Sequence, residues 1–182
     1  MNIENHVHSF FHEVGKGRIE IYNEFSLQHE LGIYLRERVS PSFKVQFERN
    51  IRFFYPGVSC VKSEMDIVIY SPEERYSIEL KYPNNGQYPE TMFQFVKDIK
   101  FMEEVKNLGF TETFAVAFTE DRLFYDGKKV DGIYGFFRNG NIVHGAIQKP
   151  TGQSKEVHTI DGHYGVEWLS LGDVGKYYLL SI

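Results

Sequence analysis

The chain has 182 residues, a net charge of −5 and a single Cys, with 42% hydrophobic, 25% charged and 16% aromatic residues. That length suits one domain with a sizeable core, and the composition is that of an ordinary globular protein. It excludes an internal disulfide framework, a cysteine-built zinc site and a membrane-spanning helix (no apolar run reaches about 18 residues), and it weighs mildly against strong non-specific binding to nucleic acid while leaving room for a local basic groove.

The opening residues show no charged stretch leading into an apolar one, so a cytoplasmic protein with no membrane partner is expected. Residues 1–22 form an N-terminal segment in which His6, His8 and His12 stand among Phe10 and Phe11, readable as a short helix docked on the body. The three histidines could hold a metal, but solvated or capping roles are preferred. Over 23–39 the pattern predicts a helix, capped by Asn23 and stopped by Ser40-Pro41. Leu27, Leu31, Tyr34, Leu35 and Val39 form its apolar stripe. Glu30 falls three residues after Leu27 and four before Tyr34, at the stripe's edge, where a carboxylate is unusual. Glu24 and Glu37 are its rivals.

Residues 44–54 read as one or two strands interrupted near Glu48-Arg49-Asn50, and Tyr55-Pro56-Gly57 as a turn. Then come two β-rich runs, Glu64-Met65-Asp66-Ile67-Val68-Ile69-Tyr70 and Tyr76-Ser77-Ile78-Glu79-Leu80-Lys81-Tyr82, separated by Ser71-Pro72-Glu73-Glu74. A four-residue loop pairs Tyr70 with Arg75 and, counting back, sets Asp66 opposite Glu79. Side chains alternate along a strand. Ile67, Ile69, Tyr76, Ile78 and Leu80 therefore share an apolar face directed to a core. Asp66, Val68, Ser77, Glu79 and Lys81 share the other. Two carboxylates facing each other repel unless a cation lies between them, and Mg²⁺ accepts such sites with only one or two carboxylates.

Pro83-Asn84-Asn85-Gly86 and Pro89 form a loop beside these residues. A helix follows over 91–108, with Met92, Phe95, Val96, Ile99 and Met102 at helical spacing and Gly109 as its stop. Gln94, Lys97, Asp98 and Lys100 are assigned to its opposite, polar side. The apolar run over 113–118 reads as a central buried strand.

Asp66 followed by Glu79-Leu80-Lys81 on the next strand resembles the PD-(D/E)xK signature of the restriction-endonuclease-like nuclease superfamily, with Met65 where that signature has Pro. The order helix, strands, hairpin, helix, buried strand over 23–119 is similar to that superfamily's core. Gln94 resembles the first residue of a Gln-x-x-x-Tyr element found in one of its branches, although the fourth position is Asp98. The resemblance implies an α/β (α+β) fold, a central mixed β-sheet flanked by helices, and a metal-dependent nuclease. Asp66, Glu79 and the Leu80 carbonyl would hold Mg²⁺ or Mn²⁺, with Glu30 as a further acidic ligand. Lys81 would orient or deprotonate water and stabilise developing charge. Gln94, Lys97 and Lys100 would contact substrate, expected to be DNA, and a homodimer is compatible with this. A nuclease-like binding or assembly module without catalysis is the alternative, with a small-nucleotide phosphohydrolase as a third reading.

Residues 120–182 read as a β-rich extension packed on the core. Phe136 to Val143 carries a hairpin signal at Asn139-Gly140, and Trp168 and Tyr177-Tyr178-Leu179-Leu180 complete its packing. His144, His158 and His163 are read as core or surface histidines, and Cys60 as a small buried hydrophobe.

Overall fold

The computed structural model describes all residues except Asn84, Asn85 and Ser154. The middle of the expected loop at 83–86 therefore lies outside the described residues.

The docked N-terminal helix is α1 (Ile3–Gly15), where Asn2 accepts the Asn5 N–H and Ile3, Val7, Phe10, Phe11 and Val14 form a buried stripe. In α2 (Glu24–Arg36) Asn23 makes a capping box with Ser26, as residue types that satisfy free helix N–H groups do. The expected stripe Leu27, Leu31, Tyr34, Leu35 and Val39 is buried. Strands β1 (Lys44–Asn50), β2 (Glu64–Tyr70) and β3 (Arg75–Lys81) form an antiparallel meander. A single helical turn at Ile51–Phe53 replaces the expected second strand after β1. Helix α3 (Tyr88–Asn107) crosses over to β4 (Glu112–Thr119), which lies parallel to β3. Helix α4 (Ile133–Arg138), a separate hairpin of β5 (Val143–Gln148) and β6 (Val157–Tyr164), then β7 (Leu169–Ser170) and β8 (Lys176–Ser181) complete the chain. The main sheet runs β1-β2-β3-β4-β8-β7, so the fold is a mixed six-stranded sheet with four helices and a second two-stranded sheet.

The β2–β3 register is the one a four-residue loop dictates: Tyr70 faces Arg75, Ile69 faces Tyr76, Val68 faces Ser77 and Ile67 faces Ile78. Ile67, Ile69, Tyr76, Ile78 and Leu80 pack under α1 and α2 as expected. The opposite face, which carries the charged residues, is also buried. Met65, Val68, Ala115 and Ala117 belong to a second core with α3 and α4. The polar groups there are thus embedded, with Ser77 and Glu79 sealed from solvent.

Two further expectations change. The hairpin expected over 136–143 is absent: 136–138 belong to α4, with Asn139 as its C-cap and Gly140 at φ +68°. The local preference of Asn-Gly for positive φ that favours a hairpin also ends a helix. And 120–182 is only partly an extension, because β8 pairs with β4 inside the main sheet. Trp168 does lock this region, donating Nε1–H to the Phe137 carbonyl at 2.9 Å and meeting Tyr178 edge-on. Nor is the polar side of α3 solvated, since the β5–β6 hairpin covers part of it. Buried Glu103 accepts the N–H groups of Asp161 and Gly162 and the Tyr164 hydroxyl.

Close approach of α2 to β1 depends on Gly32, since a methyl there would penetrate the Phe47 ring. Gly→Ala inside a helix ordinarily gains about 1 kcal/mol. Here overpacking at about 1–3 kcal/mol outweighs it. Gly32→Ala is expected to lower the urea midpoint, and a raised midpoint would mean that the Phe47 ring moves aside freely.

Candidate functional site

The residues singled out on the hairpin converge with others at one end of β3. Asp66, near the start of β2, accepts the Leu80 N–H through Oδ2 at 2.7 Å. Lys81 Nζ lies 3.3 Å from Glu24 Oε1 and 3.7 Å from Asp98 Oδ2, and donates to the Leu80 carbonyl at 3.1 Å. Glu24 also accepts the Tyr82 N–H at 3.1 Å. Lys62, in the segment leading into β2, ion-pairs with Glu79 Oε1 and reaches Asp98 Oδ1 at 3.0 Å. Gln28 Nε2 donates to both the Asp66 carbonyl and Glu48, fixing the backbone that carries the aspartate. Glu48 is held at φ +49°, a left-handed conformation uncommon outside glycine.

Charge is crowded here. Glu24, Asp66, Glu79 and Asp98 set four carboxylates against the two ammonium groups of Lys62 and Lys81, an excess of two negative charges when all are ionised. Burial pushes Asp66 up to about 6, against the opposing pull of Lys62, the Leu80 N–H and Lys81. For Lys81 burial acts downward, but Asp98, Glu24 and Asp66 outweigh it and raise its pKa to about 12. Lys81 is therefore a protonated cation at neutral pH. It can stabilise negative charge, but in this arrangement it is not the base that the resemblance allows.

The acidic contribution from α2 is Glu24, not Glu30. Six helical residues separate the two, which places Glu30 about 9 Å further along and roughly a third of a turn away. Glu30 instead lines a cavity of about 300 Å³ with Glu13, Glu37 and Arg38. Asp98 is the other residue that the sequence assigned wrongly. It is 4% exposed and faces the site, not the polar side of α3. The criterion applied to Glu30 also fits it, since Asp98 stands three residues after Phe95 and four before Met102. Gln94 lies one turn before Asp98 on the same face and is partly buried. Lys100 is committed to Asp161 at 3.0 Å and to Glu103 at 3.6 Å, so it is a structural tie instead of a free phosphate contact. Lys97 lies near enough to His158 to help lower that imidazole's pKa, after burial. Lys62 carried no motif signal beyond being a lysine four residues before Asp66.

Four histidines make ring or hydrogen-bond contacts away from the site. His8 Nδ1 and the Tyr177 hydroxyl are 2.7 Å apart, His158 stacks on Phe93, and His144 stacks on His163. Cys60 is half-buried, its thiol pushed up by burial and by Glu104. A cavity of about 310 Å³ lined by Lys44, Phe53, Phe54, Tyr70 and Arg75 lies at the far, loop end of the hairpin and includes none of the site's carboxylates.

Among the described residues no three Asp, Glu, His or Cys side chains gather as ligands of one ion. The donor chemistry nevertheless fits a hard divalent cation: an oxygen-rich set with excess negative charge, and buried atoms awaiting a partner. Both Glu79 oxygens and Asp98 Oδ2 lack hydrogen bonds, Glu79 Oε1 being met by the Lys62 ammonium and Asp98 Oδ2 by the Lys81 ammonium only as ion pairs. Among the described residues no helix is long and apolar enough to cross a membrane. Comparison with protein-family models, curated proteins and solved structures finds no match to the chain.

Proposed function

We propose that this protein is a metal-dependent phosphodiester hydrolase acting on nucleic acid, with DNA cleaved internally as its first expected activity. The observation that carries the reading is the convergence of Asp66, Glu79 and Lys81 with Glu24 and Asp98 at one end of β3. The β1-β2-β3 meander, the α3 crossover and the parallel β4 supply the chain order of the nuclease superfamily that the Asp…Glu-x-Lys residues resemble. Asp66, Glu79 and the Leu80 carbonyl would hold Mg²⁺ or Mn²⁺, with Glu24 taking the acidic role first expected of Glu30. Such an ion supplies polarisation of the scissile phosphate and a sharpened water nucleophile. Lys81, kept protonated by its carboxylate neighbours, stabilises charge on the phosphate as it develops. Gln94 and Lys97 are the remaining candidates for substrate contact.

A module of this architecture that binds without cutting is the second reading. It is favoured by the Lys62 ammonium, which already gives Glu79 and Asp98 a counter-charge, and by the net charge of −5.

Cleavage of supercoiled plasmid and labelled oligonucleotides with Mg²⁺ or Mn²⁺ separates the two. Asp66→Ala and Lys81→Ala are each expected to lower the rate at least about a hundredfold. Glu24→Ala should lower it about tenfold, the scale of a supporting group at a metal site. Glu30→Ala should leave it unchanged. Equal residual rates in wild type, Asp66→Ala and Lys81→Ala would overturn the assignment. A loss with Glu30→Ala but not Glu24→Ala would restore the ligand set first read from the sequence.

A further inference from the structure

We propose that the space between Glu79 and Asp98 is a cation-exchange position, held by the Lys62 ammonium in the metal-free protein and taken by a hard divalent cation when Lys62 swings out. The inference rests on the reading of the site as metal-dependent, and it adds Asp98 and Lys62 to that site with opposite roles.

The two carboxylates are 1% and 4% exposed, each on a rigid element, β3 and α3. Neither can turn to water, so in their ionised forms they require a positive charge between them. At present the charge is Lys62, paired with Glu79 Oε1 and 3.0 Å from Asp98 Oδ1. One oxygen of each carboxylate, Glu79 Oε2 and Asp98 Oδ2, has no hydrogen bond and is sealed in the protein. An ammonium offers three donors in one compact head, whereas a divalent ion draws on several oxygens at once and keeps waters to fill its shell. Glu79 Oε2 and Asp98 Oδ2, the latter 3.7 Å from Lys81 Nζ, are the oxygens such an ion would use.

Lys62 is built to leave. Its side chain is 24% exposed, unlike the acids it pairs with. It lies in the segment that leads into β2, outside any helix or strand. The other lysine is placed differently: Lys81 is in β3 and is held by Glu24, the Leu80 carbonyl and Asp98 together. The charge balance points the same way. Exchanging one positive charge for two halves the local excess of two negative charges while Lys81 stays, so entry of the ion and exit of Lys62 are coupled.

Two measurements test this. The first is calorimetric titration of MnCl₂ into wild type, Lys62→Met and Asp66→Ala. Removing the tethered competitor should tighten Mn²⁺ binding in Lys62→Met at least about tenfold relative to wild type. The second uses wild-type protein alone, so it stands even if Lys62→Met does not fold. Amines are acylated with and without MnCl₂, and modification at Lys62 and Lys81 is quantified by mass spectrometry. Lys62 modification should rise severalfold with Mn²⁺ while Lys81 modification does not. Equal affinities together with unmoved Lys62 reactivity, in a protein whose Mn²⁺ binding is lost in Asp66→Ala, would overturn the exchange and leave the metal reading standing. Absence of Mn²⁺ uptake in both wild type and Lys62→Met, with Lys62 reactivity unmoved, would overturn both.

Discussion

Asp66→Asn is expected to make the protein more stable at pH 7 by up to about 3 kcal/mol while removing its cleavage activity. The folded protein raises this carboxyl from an ordinary 3.8 to about 6, chiefly by burial. A raised carboxylate pKa means that the folded state binds its proton more tightly than the unfolded chain does. Between about pH 4 and pH 6 the folded state carries more protons, so stability falls as pH rises through that window. Above it the full penalty is present, and two pKa units correspond to about 3 kcal/mol. The Asn amide oxygen can still accept the Leu80 N–H that Asp66 Oδ2 accepts, and it carries no charge to bury. Urea unfolding of wild type and Asp66→Asn from pH 4 to pH 8 should therefore give curves that meet near pH 4 and separate toward pH 7. Parallel curves would show that the burial of Asp66 is relieved by solvent. A residue kept at such a cost to stability, and whose neutral replacement is stabilising but inactive, is the pattern expected of a functional carboxylate and not of a structural one.

The hairpin was legible because loop length fixes register: four loop residues between alternating runs leave one pairing, which holds from Tyr70–Arg75 to Ile67–Ile78, and beyond it Asp66 meets β3 through the Leu80 N–H. The cap and stripe of α2 and the stripe of α3 were legible because periodicity and end residues are local, whereas α1 was read only as a short docked helix and α3 begins at Tyr88, before the expected start at 91, with no side-chain cap. What could not be read depends on distant packing. The burial of the hairpin's charged face was not legible, because nothing in 64–82 announces that α3 and α4 will cover it. Glu30 and Glu24 belong to the same helix and both sit near its apolar stripe. Only the placement of the β3 end against the first turn of α2 decides between them. Asp98 was set aside on the polar side of α3, although the stripe-edge argument used for Glu30 applied equally to it. Lys62 was out of reach, since a lysine in an irregular segment has no pattern, and its meeting with Glu79 and Asp98 joins three separate stretches of chain. The Asn139-Gly140 signal was read wrongly as a hairpin turn: Gly140 does take positive φ, but Asn139 at φ −128° ends α4 instead, and a helix end uses the same glycine freedom.

Replacing the whole buried group at once, as Lys62→Met, Glu79→Leu and Asp98→Leu together, should yield a folded protein at least as stable as wild type in EDTA, and by up to about 4 kcal/mol more stable, with no cleavage activity. Burying two carboxylates and an ammonium incurs a desolvation cost that their attraction seldom recovers, and well-packed apolar residues of similar volume avoid it. The neighbours suit such a change, for Phe101 lies beside the Lys62 ammonium, and Met65, Val68, Ala115 and Ala117 belong to the core on this side of the sheet. The single change Lys62→Met behaves in the opposite way. It leaves Glu79 and Asp98 sealed with no cation between them and should cost about 3–5 kcal/mol in EDTA, a loss that Mn²⁺ reverses if the ion takes the vacated position. Denaturant midpoints of the three proteins, each with EDTA and with MnCl₂, give the comparison. A triple variant less stable than Lys62→Met would mean that the ions themselves hold the fold together, which is the expectation for a binding or assembly module. A triple variant that is stable, inert to Mn²⁺ and inactive would mean that an apolar core was available to this fold. In that case Glu79 and Asp98 are kept in the interior, with Lys62 at its edge, for the cation they hold.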